Sequence, residues 1–167
     1  MKKTLIGLIL CIFATTVIAK TLTGYGNTKW DMTPDQVVIA EGSKVRKLSD
    51  PIKYKGSWGL VKTDNVIIAN RDFDVTYLFS NNHLIQVNVS AKEKKNALIN
   101  NDVFKRLESL LTQKYGSPTY SDQGKSTVWN LEGTTIMLDI LNIEGVMSNL
   151  VISYKPASAS SDEANAL

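Results

Sequence analysis

The side chains able to do chemistry are few and scattered. His83 is the only histidine, and Ser80 lies three residues before it. A general base needs an orienting partner and a shielded place, and a serine beside a histidine with no acid to orient the ring has neither. No serine has a lysine three residues on, which removes the other common way of activating a hydroxyl. Asn70, Asp72 and Asp74 alternate as residues on one strand face would, but a calcium loop of the EF-hand kind needs a mid-loop glycine and a closing glutamate. Gly24-Tyr25-Gly26 lacks the third glycine, the preceding strand and the following helix of a dinucleotide fingerprint, and is expected to be a flexible start to the mature chain. The expectation is a chain with no catalytic residues, no metal ligands and no cofactor.

The single cysteine, Cys11, falls inside a leader. Lys2-Lys3 is a charged start, Leu5 to Ala14 an apolar stretch too short to span a bilayer, and Val17-Ile18-Ala19 has small residues where a signal peptidase reads. Residues 1–19 are therefore expected to be a signal peptide cut after Ala19. Leu8-Ile9-Leu10 puts a large residue directly before Cys11, where lipidation needs a small one. The remainder has no cysteine, so it must hold itself together by burial although its expected compartment would allow disulfides.

Composition narrows the classes further. The chain has 167 residues, 43% hydrophobic and 21% charged, which excludes a disordered, collagen-like or polytopic membrane protein. Beyond residue 19 there are 17 basic and 16 acidic residues, a balance unsuited to wrapping nucleic acid. Against that neutral background, residues 42–62 hold six basic residues and one acidic. Lys44, Arg46, Lys47, Lys53 and Lys55, with Tyr54 and Trp58 among them, form a candidate site for an anionic envelope surface or an acidic protein.

These residues need elements to position them. Thr33 reads as an N-cap, Pro34 as the first helical residue and Gln36 as the third member of a capping box, so a short helix runs from Pro34 to about Glu41 and stops at Gly42. Val103, Phe104, Leu107, Leu110 and Leu111 share one helical face. Asn101 is the expected cap of that second helix, and Lys114-Tyr115-Gly116-Ser117-Pro118 its end.

Strand parity supplies the rest. Val75, Tyr77 and Phe79 share a face with Ile85, Val87 and Val89 if the connection is odd in length, which predicts a three-residue turn at Asn81-Asn82-His83. Trp129 and Leu131 face Ile136 and Thr134 across Glu132-Gly133. Ile136, Leu138 and Ile140 are expected opposite Ile152, Leu150 and Ser148 around a turn at Ile143-Glu144-Gly145. Committing Trp129, Ile136 and Ile152 to the core sends Val128, Met137 and Val151 outward as one row, with Leu141 and Met147 as a second pair. That row is a candidate partner-binding surface. Residues 57–69 should add one or two strands, and the chain from Pro156 to Leu167 reads as a disordered tail.

The whole is an α+β domain over residues 20–155. Its antiparallel sheet of about six to seven strands carries two helices on one face, as two helix-then-strands pseudo-repeats at 34–91 and 98–154. Trp30-Asp31-Met32-Thr33-Pro34-Asp35-Gln36-Val37 resembles the W-G-M-[ST]-x-x-E-V opening of small exported bacterial proteins, and Lys114 to Pro118 is similar to the K-Y-G-x-P that closes their second helix. The architecture is similar to the repeat of the outer-membrane-assembly lipoprotein (SmpA/OmlA type) and the β-lactamase-inhibitor protein. This chain has Asp31 where glycine is usual, Gln36 for glutamate and no lipidation site. The resemblance implies protein binding rather than catalysis. A soluble, non-lipidated periplasmic or secreted binding protein of the envelope-accessory or inhibitor type is the resulting expectation. A carrier or sensor of an apolar or anionic envelope ligand held between sheet and helices is the alternative.

Overall fold

The computed structural model describes residues 22–157. The expected signal peptide, and all of the expected tail beyond its first two residues, lie outside them. The chain runs through α1 (Pro34–Glu41), a 3₁₀ turn (Gly42–Lys44), β1 (Arg46–Tyr54), β2 (Ser57–Ile68), β3 (Arg71–Ser80) and β4 (His83–Ala91). It continues through α2 (Ala97–Tyr115), β5 (Tyr120–Asp122), β6 (Ser126–Leu131), β7 (Thr134–Ile143) and β8 (Met147–Pro156). The protein is α+β, with one antiparallel sheet of eight strands in the order β1-β2-β3-β4-β8-β7-β6-β5. Each helix precedes a four-stranded meander, and the two meanders join where β4 pairs with β8.

Eight strands replace the six to seven expected because the basic segment is itself a strand and Tyr120–Asp122 adds a short one. Pro51, which has no N–H to give a ladder, disguises β1. It is accommodated because β1 is an edge strand whose register breaks between Lys47 and Ile52. Proline, an irregular register and lysines are also what keeps an exposed edge from pairing with another chain.

The helices form for local reasons. Thr33 accepts a hydrogen bond from the Gln36 N–H while the Gln36 side chain accepts one from the Thr33 N–H, closing the capping box at the head of α1. α2 starts a turn earlier than its apolar spacing suggests. Asn96 caps it, Oδ1 accepting from the Ile99 N–H at 3.1 Å, and the expected cap, Asn101, lies within the first two turns. Val103, Phe104, Leu107 and Leu111 are buried, but Leu110 is 47% exposed. At about 100° per residue Leu110 sits at the margin of that stripe and Asn100 at its middle. Asn100 is buried there, its amide donating to the Glu93 carbonyl at 3.0 Å and to Ser148 Oγ at 2.9 Å.

The first hairpin keeps its expected core pairs, Val75 with Val89 and Tyr77 with Val87, by another route. Its turn has two residues, Asn81 and Asn82, both with positive φ (48° and 67°), the geometry asparagine tolerates best after glycine. A register shift between Leu78 and Phe79 restores the odd parity, so that Leu84, not Ile85, enters the core. His83 thereby becomes the first residue of β4. In the second meander Trp129 pairs with Ile136 and Leu131 with Thr134 as expected. β8 is displaced by two residues: Ile136 faces Tyr154, Leu138 faces Ile152 and Ile140 faces Leu150. The loop is still three residues long, Glu144-Gly145-Val146, and Ile143 pairs with Met147. An even displacement exchanges partners without exchanging faces.

The N-terminal segment is ordered, not flexible. The Leu22 N–H donates to the Glu132 carbonyl at 3.0 Å, the Asp31 N–H to the Leu84 carbonyl at 3.1 Å, and the Leu84 N–H to the Met32 carbonyl at 2.9 Å. Gly24 is required by contact: a Cβ there would lie 1.9 Å from the Thr28 carbonyl oxygen. One hydrophobic cluster joins Val37 of α1, Val103, Phe104, Leu107 and Leu111 of α2, and the inward side chains of the sheet, Trp129 and Ile136 among them. Leu78 is just as buried (1% exposed) yet lies outside that cluster, on the other face.

Candidate functional site

That other face carries a row of directly paired residues that crosses all eight strands. Arg46 faces Lys62, Lys62 faces Thr76, and Thr76 faces Asn88. Asn88 faces Ser153, Ser153 faces Met137, Met137 faces Val128, and Val128 faces Tyr120. Directly paired residues share a face, so the row is a chemical gradient: cationic on β1 and β2, hydroxyl and amide in the middle, apolar on β5 to β7. Thr76, Asn88 and Ser153 are buried although both helices pack on the opposite side.

The polar centre is internally satisfied. Asn88 Oδ1 accepts from Gln86 Nε2 at 2.6 Å and from Ser153 Oγ at 3.0 Å. The cationic end is neutralised in place: Lys62 Nζ bridges Asp64 and Asp74, and Arg46 Nε donates to Asp64 at 2.8 Å. The hydrogen bond from Lys62 holds the Asp64 carboxyl below its ordinary range. Burial works to raise Asp74, but the bonds from Lys62 and the Asn65 N–H outweigh it and hold Asp74 low as well. Burial would lower Lys62, and its two aspartate partners outweigh that and raise it.

A groove of about 660 Å³ opens beside the row, lined by Tyr54, Lys55, Leu78, Gln86, Met137 and Ser153 among others. It brings together residues of the two candidate surfaces that lie far apart in sequence, Tyr54 and Lys55 from one and Met137 from the other.

Strand alternation divides the remaining candidates. Val128 and Met137 are paired as expected, but Val151 faces Asp139, not Met137, because of the displacement of β8. Leu141 faces Asn149 and Met147 faces Ile143 rather than each other. Leu141 is exposed and Met147 half-buried, both on the outer face. The basic segment does not present one surface. Lys53 and Trp58 are opposite one another on the helix-bearing side, the ammonium 5.8 Å from the indole centroid, and Trp58 is 46% exposed rather than core. Lys47 also turns that way and pairs with Asp35 of α1. Lys44 stands at the mouth of a second cavity beneath the helices.

His83 is exposed, its Nδ1 3.1 Å from the Asp31 carbonyl oxygen. Asp31 itself has φ 68°, a conformation that glycine adopts without cost and an aspartate only seldom. Asn70 lies in the turn between β2 and β3, apart from Asp74. Among the described residues no three histidine, cysteine, aspartate or glutamate side chains gather as a metal site would require. No helix among them is long and apolar enough to cross a membrane.

Alternation alone sends Thr76 and Asn88 to the outer face, but their meeting with Ser153 was not legible in the sequence. Thr76, Asn88 and Ser153 are ordinary polar strand residues, and nothing local signals that β4 and β8, separated by a helix and three strands, will lie side by side. Comparison of the chain with protein-family models, with curated proteins and with solved structures finds no match.

Proposed function

We propose that this is a non-enzymatic binding protein of the cell envelope whose helix-free sheet face holds a segment of another protein. The observation that carries the reading is the eight-strand row, with its apolar end at Tyr120, Val128 and Met137 and its groove beside Tyr54 and Lys55. A partner segment matching this face has an apolar stretch for the Met137 end and an acidic residue for Lys55. Its main-chain groups gain nothing from β1, whose proline and lysines discourage strand addition, so recognition runs through side chains over the sheet. The leader pattern at residues 1–19 supports export, and the mature protein is expected to begin at Lys20 on N-terminal sequencing.

Met137→Asp is the test. Met137 is on the outer face and half-buried, so the substitution should cost about 1–2 kcal/mol of stability, and a urea midpoint shows that the variant stays folded. Capture of envelope proteins on immobilised wild-type and variant chains should show one species lost with Met137→Asp and retained with Lys105→Glu on α2. A partner profile unchanged by Met137→Asp, in a chain that stays folded, removes the reading.

A further inference from the structure

A second cavity lies on the opposite side of the sheet, independent of the groove and its partner. It has a volume of about 390 Å³ and sits where the C-terminal end of α1, the C-terminal end of α2 and the N-terminal segment meet over β2, β3 and β8. Its wall is tyrosine: Tyr25, Tyr77, Tyr115 and Tyr154 all line it. Tyr25 stands edge-on to Tyr154, ring centroids 4.9 Å apart at 62°, and edge-on to Tyr77, 6.2 Å apart at 72°. These contacts fix the rings before any ligand arrives, and a prearranged wall loses little freedom on binding. Burial pushes the Tyr25 hydroxyl up to about 12, and raises Tyr77 and Tyr154 too. These three rings therefore present un-ionised hydroxyls at neutral pH.

Three charged side chains line the cavity, Glu41, Lys44 and Lys114, and the Glu41 carboxylate lies near enough to the wall to help raise Tyr25 and Tyr77. Glu41 is engaged, its Oε1 accepting the Asn27 N–H at 2.7 Å. Lys44 and Lys114 are exposed, and neither is in an ion pair with a described residue. Lys114 instead rests over the Tyr115 ring, its ammonium 5.0 Å from the centroid. Two cations against one carboxylate leave a single positive charge in excess above an aromatic wall. A volume of this size is ordinary for a small-molecule site.

We propose that this cavity binds a planar aromatic monocarboxylate, its rings against the tyrosines and its carboxylate between Lys44 and Lys114. A neutral aromatic would forgo the lysines, and an aromatic ammonium would meet them as like charges. The site occupies the position between sheet and helices that a carried ligand would need, and it gives such a ligand a definite chemistry.

The probe is 2-naphthoate, titrated calorimetrically into the full exported chain, with 2-naphthamide and 2-naphthylmethylammonium as matched neutral and cationic probes. Naphthoate should bind with a Kd of about 0.1–1 mM, as expected for so small a ligand, and the amide and ammonium at least about fivefold more weakly. The Lys44→Gln/Lys114→Gln variant, altered only at exposed positions, should weaken naphthoate by about fivefold or more and leave the amide unchanged. Met137→Asp, on the other face, should not alter naphthoate binding, so this site and the protein-binding face fail or stand separately. Absence of saturable naphthoate binding, equal binding of the amide, tighter binding of the ammonium, or a double variant that binds like wild type would each overturn the proposal.

Discussion

The indole N–H of Trp30 lies 3.0 Å from the Gly133 carbonyl oxygen and 3.0 Å from Thr134 Oγ1, tying the segment before α1 to the turn between β6 and β7. Gly133 has φ 85°, and a Cβ there would stand 2.9 Å from the Leu22 carbonyl. The N-terminal segment thus clamps the two meanders at one end of the sheet. Trp30→Phe keeps most of the ring and removes the donor. It should lower unfolding stability by about 1 kcal/mol, read as a lower urea midpoint with an unchanged slope. The Leu22 amide, which donates to Glu132, should exchange with solvent faster in the variant. An unchanged midpoint would mean that the clamp contributes no net stability.

The Asn81-Asn82 turn invites a substitution in either direction. Both residues have positive φ, where glycine is unstrained and a β-branched residue is not. Asn82→Gly is expected to leave stability within about 0.5 kcal/mol of wild type and Asn82→Val to lower it by about 1–2 kcal/mol. Chemical denaturation compares them. Equal loss from both would show that the asparagine side chain matters more than its backbone.

Acid should loosen the charged end of the row. The carboxyls of Asp64 and Asp74 are held below the ordinary value of 3.8 in the folded state, so the folded chain releases their protons more readily than the unfolded one. Their contribution is complete above the unfolded value and is lost as pH falls through it towards the lower folded values. Stability measured from pH 6 down to pH 3 should therefore fall, and Asp74→Asn should make that fall shallower. A variant with the same acid slope as wild type would show that Asp74 is not one of the linked groups.

Alkali should act through the tyrosine cluster with the opposite sign. Tyr25 is raised from 10.0 to about 12, and Tyr77 and Tyr154 are raised as well, so the folded state holds these protons more tightly than the unfolded chain. Their stabilisation is complete below pH 10 and disappears as pH rises from there through the folded values. Part of the phenolate absorbance at 295 nm should therefore appear together with the loss of near-ultraviolet dichroism. Smooth ionisation of every tyrosine in a chain that stays folded would contradict the burial of this cluster.

Local chemistry was legible from the sequence. The capping box at Thr33 and Gln36, the stop at Gly116, the two-residue turn at Glu132-Gly133 and the inward sides of β3, β6, β7 and β8 all follow from residues within a few positions of one another. Caps, glycines and the two-residue alternation of a strand act at that range. For the same reason β8 could be displaced by two residues without any change of face: alternation determines parity, and parity is blind to an even shift.

What depends on distant partners needed the tertiary structure. Asn100 looks like a misplaced amide on an apolar stripe until Glu93 and Ser148 arrive to bond it. β1 reads as a basic loop until β2 pairs with it, and pairing then sends Lys53 and Trp58 to one side of the sheet and Tyr54 to the other. The segment with Gly24 and Tyr25 looks unstructured until Glu132, Tyr77 and Tyr154 supply its contacts. The outer row and the tyrosine cavity have the same origin. Sequence alone determined the faces of β3 and of β6 to β8, where alternation runs unbroken, but not those of β1 or of the start of β4, where pairing and a register shift intervene. Only the β4–β8 pairing and the clamp of the N-terminal segment decided which side chains meet, because those contacts join residues whose proximity no local pattern encodes.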